Sequence, residues 1–150
     1  VQISFDYQKP GESVSARTLT PVRIRFLAQQ WLLLGVENGE LKNFLLRRMV
    51  SRVRLTDKPA QTVTAAEIAQ AEADLTVFIE SQRAVIEVRP NSEAWYHFGA
   101  EQELVEISYM DRELFAEELI EFGSDVRIVG PVEFANYVSE QLRQVVENHA

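Results

Sequence analysis

The chain contains no cysteine. That excludes disulfides, thiol nucleophiles and thiolate metal sites, and it fits a reducing compartment, so a cytoplasmic location is expected. No apolar run is long enough to span a bilayer, and no signal-peptide pattern opens the chain. Histidine is scarce: His97 and His149 stand isolated. There is no glycine-rich phosphate loop, and no Ser/His/Asp arrangement with strand-turn-helix support. Carboxylates abound, but the run Glu113 to Glu121 reads as a solvated helix face. These absences leave no catalytic argument, so the expectation is no enzyme, no cofactor and no metal.

What is present is a charge asymmetry. The 150 residues carry a net charge of -8. Residues 1–60 hold 10 Lys/Arg against 5 Asp/Glu, a balance of +5, whereas residues 61–150 hold 5 against 18, a balance of -13. Two units with different partners are expected, the first attracting phosphate and the second repelling it. The chain also opens inside a strand at Val1, as a piece of a longer protein would.

Gln2 to Tyr7 alternates, with Ile3, Phe5 and Tyr7 on one side, which predicts a half-buried strand. Lys9-Pro10-Gly11 is a turn signal. Ser13 to Leu19 reads as a second strand that Pro21 confines to an end or edge. Val22 to Phe26 reads as a further strand, with Val22, Ile24 and Phe26 inward and Arg23 and Arg25 outward. Trp31 to Val36 is nearly all apolar, as in a central strand covered on both faces. Asn38-Gly39 is a hairpin turn pair. Leu41 to Arg48 and Val53 to Leu55 complete a set of short strands whose spacing predicts a small barrel.

Residues 59–82 are expected to form a linker and a helix, the helix opened by the capping box Thr64-Ala-Ala-Glu67. Beyond it, Ala84 to Val88, Leu104 to Tyr109 and Val126 to Val129 read as strands. Ser92 and Asp111 are helix caps, and Gly123 ends the second of those helices. Pro131 opens a last helix with the apolar stripe Ala135, Val138, Leu142 and Val145. The expected class is α+β: a barrel over residues 1–58 and a ferredoxin-like layer over residues 83–150.

Three features of the first half, Arg17-x-x-x-Pro21, Trp31-Leu-Leu-Leu-Gly35 and Phe44-x-Leu46-x-Arg48-Met49, resemble the WYL family of bacterial transcription regulators. The second half is similar to the extension that commonly follows a WYL domain, through Ala84 to Val88, Trp95, Glu117 to Gly123 and Pro131 before a last helix. Leu32 departs from the pattern by replacing the signature tyrosine. Leu45 stands where a basic residue is frequent, and Arg47 where an aspartate is frequent. The resemblance implies an Sm-like five-stranded barrel. It also implies a winged helix-turn-helix that binds promoter DNA and lies outside this chain. The extension would support a homodimer or paralogous heterodimer, and regulators of the proteasome-accessory type, which respond to DNA damage, are the nearest comparison. The implied ligand is nucleic acid, single-stranded DNA in some members, or a nucleotide.

The candidate site follows from the residues themselves. Arg17, Arg23 and Arg48 are the expected ligand contacts, because a guanidinium binds phosphate oxygens bidentately and stacks on bases. Lys42 and Arg47 count with the site; with Arg25, Arg52 and Arg54 they supply longer-range attraction or only solubility. Trp31 has two readings, a core residue or a platform on which a base stacks. Leu33 is core beside it. A rival reading needs no small ligand: a structural interaction module in which the basic half of one chain docks on the acidic half of another.

Overall fold

The alternation in Gln2 to Tyr7 becomes strand β1 (Ile3–Tyr7), which buries Phe5 and Tyr7. A computed structural model describes residues 1–149 of the chain. It divides into two units, one from Val1 to Val77 and one from Phe78 onward.

In the first unit, β1 pairs with β2 (Ser15–Leu27), β2 with β3 (Gln30–Glu37) and β3 with β4 (Glu40–Leu45), all antiparallel. A two-residue strand β5 (Arg54–Leu55) pairs with the other side of β1, giving the order β4-β3-β2-β1-β5. The two strands expected around Pro21 are one long strand. Pro21 sits inside it at a bulge, with Pro21 opposite Gly35 and Arg23 already opposite Leu34, so Val22 is the extra residue. A bulge is one of the few places where a strand accepts proline. It also changes which residues share a side. Before it, Arg17, Leu19 and Pro21 face with Gly35 and Glu37; after it, Ile24 and Phe26 face with Leu33 and Trp31.

The expected Sm-like barrel is not formed: the sheet is open. β4 stops at Leu45, where the chain enters a single 3-10 turn (Leu46–Arg48). β5 is only two residues long, both exposed, and pairs with β1 alone. The outer edge of β4 is instead met by a side chain, since the Leu45 N–H donates to the Tyr7 hydroxyl at 2.9 Å. A buried N–H that has found an acceptor does not need a closing strand. The core on this side of the sheet is Phe5, Tyr7, Leu19, Leu33 and Phe44, with Ile3, Leu46 and Met49 against it. Its rings meet edge to face, with centroids 5.3–6.1 Å apart.

Asn38 and Gly39 form the β3–β4 turn with φ of 52° and 82°, as a two-residue hairpin requires. The segment after β5 is tied to the sheet: Gln2 N–H donates to the Lys58 carbonyl, and Gln61 N–H to the Thr20 hydroxyl. Thr64 then caps α1 (Ala65–Glu80) by accepting from the Glu67 N–H.

The second unit carries β6 (Arg83–Val88), α2 (Glu93–His97), β7 (Leu104–Ser108), α3 (Arg112–Glu121), β8 (Val126–Gly130) and α4 (Val132–Asn148). The predicted caps hold, with Ser92 accepting from Trp95 N–H and Asp111 from Leu114 N–H. Pro131 precedes the first helical residue of α4 by one position. The α+β class stands, but the ferredoxin-like layer does not. That arrangement needs four strands in a β-α-β-β-α-β order, and this sheet has three, in the order β7-β6-β8, both pairs antiparallel. Ile86 and Val88 are fully buried in its core, and Tyr109, Phe115 and Phe134 stack with centroids 5.0–5.4 Å apart. Among the described residues no helix is long and apolar enough to cross a membrane.

Candidate ligand-binding face

The core side of the first sheet is not uniform along its length. At one end lie three charged groups. Glu37 closes β3 and is only 6% exposed. The hairpin register places Lys42 diagonally across from it on β4, and the β2 register places Arg17 diagonally across on the other flank. Both cations converge on the same oxygen: Arg17 Nη1 lies 2.9 Å and Lys42 Nζ 3.0 Å from Glu37 Oε1. Arg17 Nε also donates to Ser15 Oγ, and its guanidinium carbon stands 5.8 Å from the ring centres of both Tyr7 and Phe44. The Arg17 side chain is 18% exposed and that of Lys42 40%.

At the other end the face is apolar and open. Trp31 and Phe26 are paired across β2 and β3 with ring centroids 5.1 Å apart, and each is 53% exposed. The turn beyond them, Ala28-Gln29, holds both residues at positive φ (48° and 65°), a region that alanine rarely visits. Next to the pair is a concavity of about 490 Å³ lined by Ile3, Val22, Ile24, Leu33, Met49 and Val53 among others, with Arg23 at its border. That volume and lining suit a small-molecule or nucleobase site. Trp31 and Glu37 are six residues apart, roughly 20 Å along an extended strand.

The predicted site residues thus divide. Arg17 and Lys42 come together around Glu37. Arg48 lies on the 3-10 turn, where its carbonyl accepts from Gln8 N–H, and Met49 bridges to Tyr7. Arg47 is on the same turn and exposed. Trp31 is exposed, not core, whereas Leu33 is buried in the core. Arg23 points to the opposite side of the sheet, where it and Arg25 both reach Glu72 of α1, at 2.7 and 3.1 Å. The inward reading of Ile24 and Phe26 gave the correct side, but no core covers that end, and Ile24 is 58% exposed. One basic pocket around Trp31 is therefore not what the sheet presents. It presents a face with a cationic end and an aromatic end, and a separate ion cluster behind it. Among the described residues no three His, Asp or Glu gather as a metal site.

Sequence reasoning missed Glu37, Glu72 and Phe26. For Glu37 a signal existed: a two-residue Asn-Gly turn fixes Glu37 opposite Glu40 and Gly35 opposite Lys42, so the Glu37–Lys42 diagonal could be counted from the turn. Glu72 had none, being 49 residues from Arg23.

Compared with protein families, residues 1–55 match the WYL domain. That stretch of the chain is similar to a WYL domain. The resemblance read from Arg17, Pro21, Trp31 and Gly35 rests on residues inside that match. Among solved structures, the proteasome accessory factor B/C (PafBC) of Arthrobacter aurescens is 23% identical with a TM-score of 0.49, over 95% of this chain and 24% of that one. A CRISPR Cas-related protein is 11% identical with a TM-score of 0.49, over 99% of this chain and 47% of that one. The chain therefore spans about a quarter and about half of those two proteins. A comparison with curated protein sequences found no match.

Proposed function

We propose that this chain is the ligand-sensing and dimerisation region of a bacterial transcription regulator. Its WYL domain binds an anionic ligand that carries aromatic rings, single-stranded nucleic acid first and a nucleotide second. The observation that carries the reading is the shared face: a half-exposed indole packed at a tilt against a phenyl ring, on the same side of one sheet as the Arg17–Lys42 pair. Aromatic platforms hold bases by stacking while cations track the phosphates. The distance between the two ends suits an extended chain of several nucleotides. Promoter DNA would be held by a domain outside this chain, and the second unit would serve the dimer. Ligand binding changes regulation only if it favours one arrangement of the dimer over another.

The rival, docking of basic on acidic halves, has less to draw on. Arg17 and Lys42 are committed to Glu37, Arg23 and Arg25 to Glu72, and Arg54 lies 3.7 Å from Asp6. Five of the ten basic residues among the first sixty are thus paired within their own unit.

The test is anisotropy titration of a labelled single-stranded oligonucleotide with the wild type and Trp31→Ala. Stacking contributes about 1–3 kcal/mol per base, so the variant should bind about 5- to 150-fold more weakly. Equal affinity removes the platform from the proposal.

A further inference from the structure

Glu37 stands out as an acid that follows the apolar run from Trp31 to Val36. It is buried, between the two cations assigned to an anion. A carboxylate leaves water only against strong partners, and this one takes two. Its Oε1 receives Arg17 Nη1 and Lys42 Nζ together. A phosphate oxygen makes the same demand on the same two donors. Arg17 is held in place by Ser15 Oγ and by the Tyr7 and Phe44 rings, so it does not swing away to meet a ligand elsewhere. Lys42 sits at the rim, the more exposed of the two.

We infer that Glu37 is a built-in competitor for the ligand: its carboxylate occupies the place of a ligand phosphate oxygen between Arg17 and Lys42 and lowers the affinity for anions. The inference rests on the function proposed above and adds a specificity rule to it. An incoming phosphate must share both cations with a fixed negative charge a few ångströms away. A mononucleotide has few other contacts to offset that repulsion, whereas a longer strand has contacts at the aromatic end as well. The domain would therefore ignore small free anions and respond to oligonucleotides.

Glu37→Gln keeps the shape and removes the charge. Titration of the full chain with a short fluorescein-labelled oligothymidylate, repeated over a range of salt, reads both consequences. Coulomb repulsion at this separation predicts binding on the order of tenfold tighter than wild type. Each cation freed for phosphate should steepen the salt dependence of log affinity by about 0.7 for a single strand. Glu37→Asp keeps the charge but withdraws it by one methylene, so it should move both quantities the same way by less. It carries the test if Glu37→Gln does not fold. If wild type binds and the folded variants show wild-type affinity and salt slope, Glu37 is only a structural partner; the proposed function then stands without this inference. If neither wild type nor variants bind the oligonucleotide, both fall together.

Discussion

Replacing Tyr7 by Phe removes one oxygen atom and tests why the sheet stays open. The Tyr7 hydroxyl accepts from the Leu45 N–H at 2.9 Å, at the outer edge of β4, and both residues are buried. Phenylalanine keeps the ring, so the edge-to-face contacts with Phe5 and Phe44 and the approach of Arg17 are retained. What is lost is the acceptor, and the Leu45 amide is left buried without a partner. A buried donor stranded in this way costs about 1–3 kcal/mol. For a unit of this size each kcal/mol lowers the melting temperature by roughly 4–8 °C. The expected result is a fall of about 10 °C in the melting of the first unit, with the denaturant m-value unchanged. Amide exchange should locate the effect, with Leu45 losing protection more than its neighbours on β4. A variant as stable as wild type, with Leu45 still protected, would falsify the account of the open edge.

Gly35→Ala should destabilise the first unit by about 1–3 kcal/mol by overpacking. The new Cβ would come 2.5 Å from Leu19 Cδ1 and 3.1 Å from the Thr20 carbonyl oxygen, and Leu19 is fully buried; urea denaturation measures it, and a neutral result means Leu19 has room to turn. The second unit should weaken above pH about 10. Burial raises the Tyr109 pKa above its ordinary 10.0, partly opposed by Arg112, and burial likewise raises that of Tyr137. The folded state therefore holds these protons longer than the unfolded chain. The stability they contribute is complete below pH about 10 and is lost as pH rises through the raised values. The unit has no lysine, so tyrosine is the residue type that titrates there in that range. Tyr109→Phe should flatten the decline, and an unchanged slope in urea midpoints against pH would count against it. The Trp31→Ala and Glu37→Gln titrations described above should move affinity in opposite directions.

Much of the local structure was legible because its causes are local. Asn38-Gly39 requires a turn whatever surrounds it, and Thr64, Ser92 and Asp111 each satisfy an amide within three residues. The side on which Ile24 and Phe26 lie was legible from alternation, but their exposure was not. Periodicity names a face and does not say whether anything covers it. Barrel closure was illegible for a similar reason: it depends on β5 being two residues long and on a tyrosine hydroxyl reaching an amide 38 residues away. The arginines of the candidate site were visible as a group. Their partners were not: Glu72 lies 49 residues from Arg23, and Glu37 shows itself only when the strands are paired outward from the Asn-Gly turn. The pocket expected from positive charge was found instead as two ion clusters on opposite sides of a sheet.

Val22 gives strand β2 a second possible phase. With Val22 bulged out, Arg17 lies at the front with Glu37 while Arg23 and Arg25 lie behind with Glu72. Drawing Val22 into the ladder would slide the rest of the strand by one step. Arg23 would then face Leu33 and Arg25 would face Trp31, turning three guanidiniums of one strand to the same side and sending Ile24 and Phe26 to the back. Deleting Val22 gives no such rotation, because the pairs beyond it already stand where an unbulged, shorter strand would put them. The proline beside it anchors the resident phase, and the Glu72 ion pairs latch it from the far side.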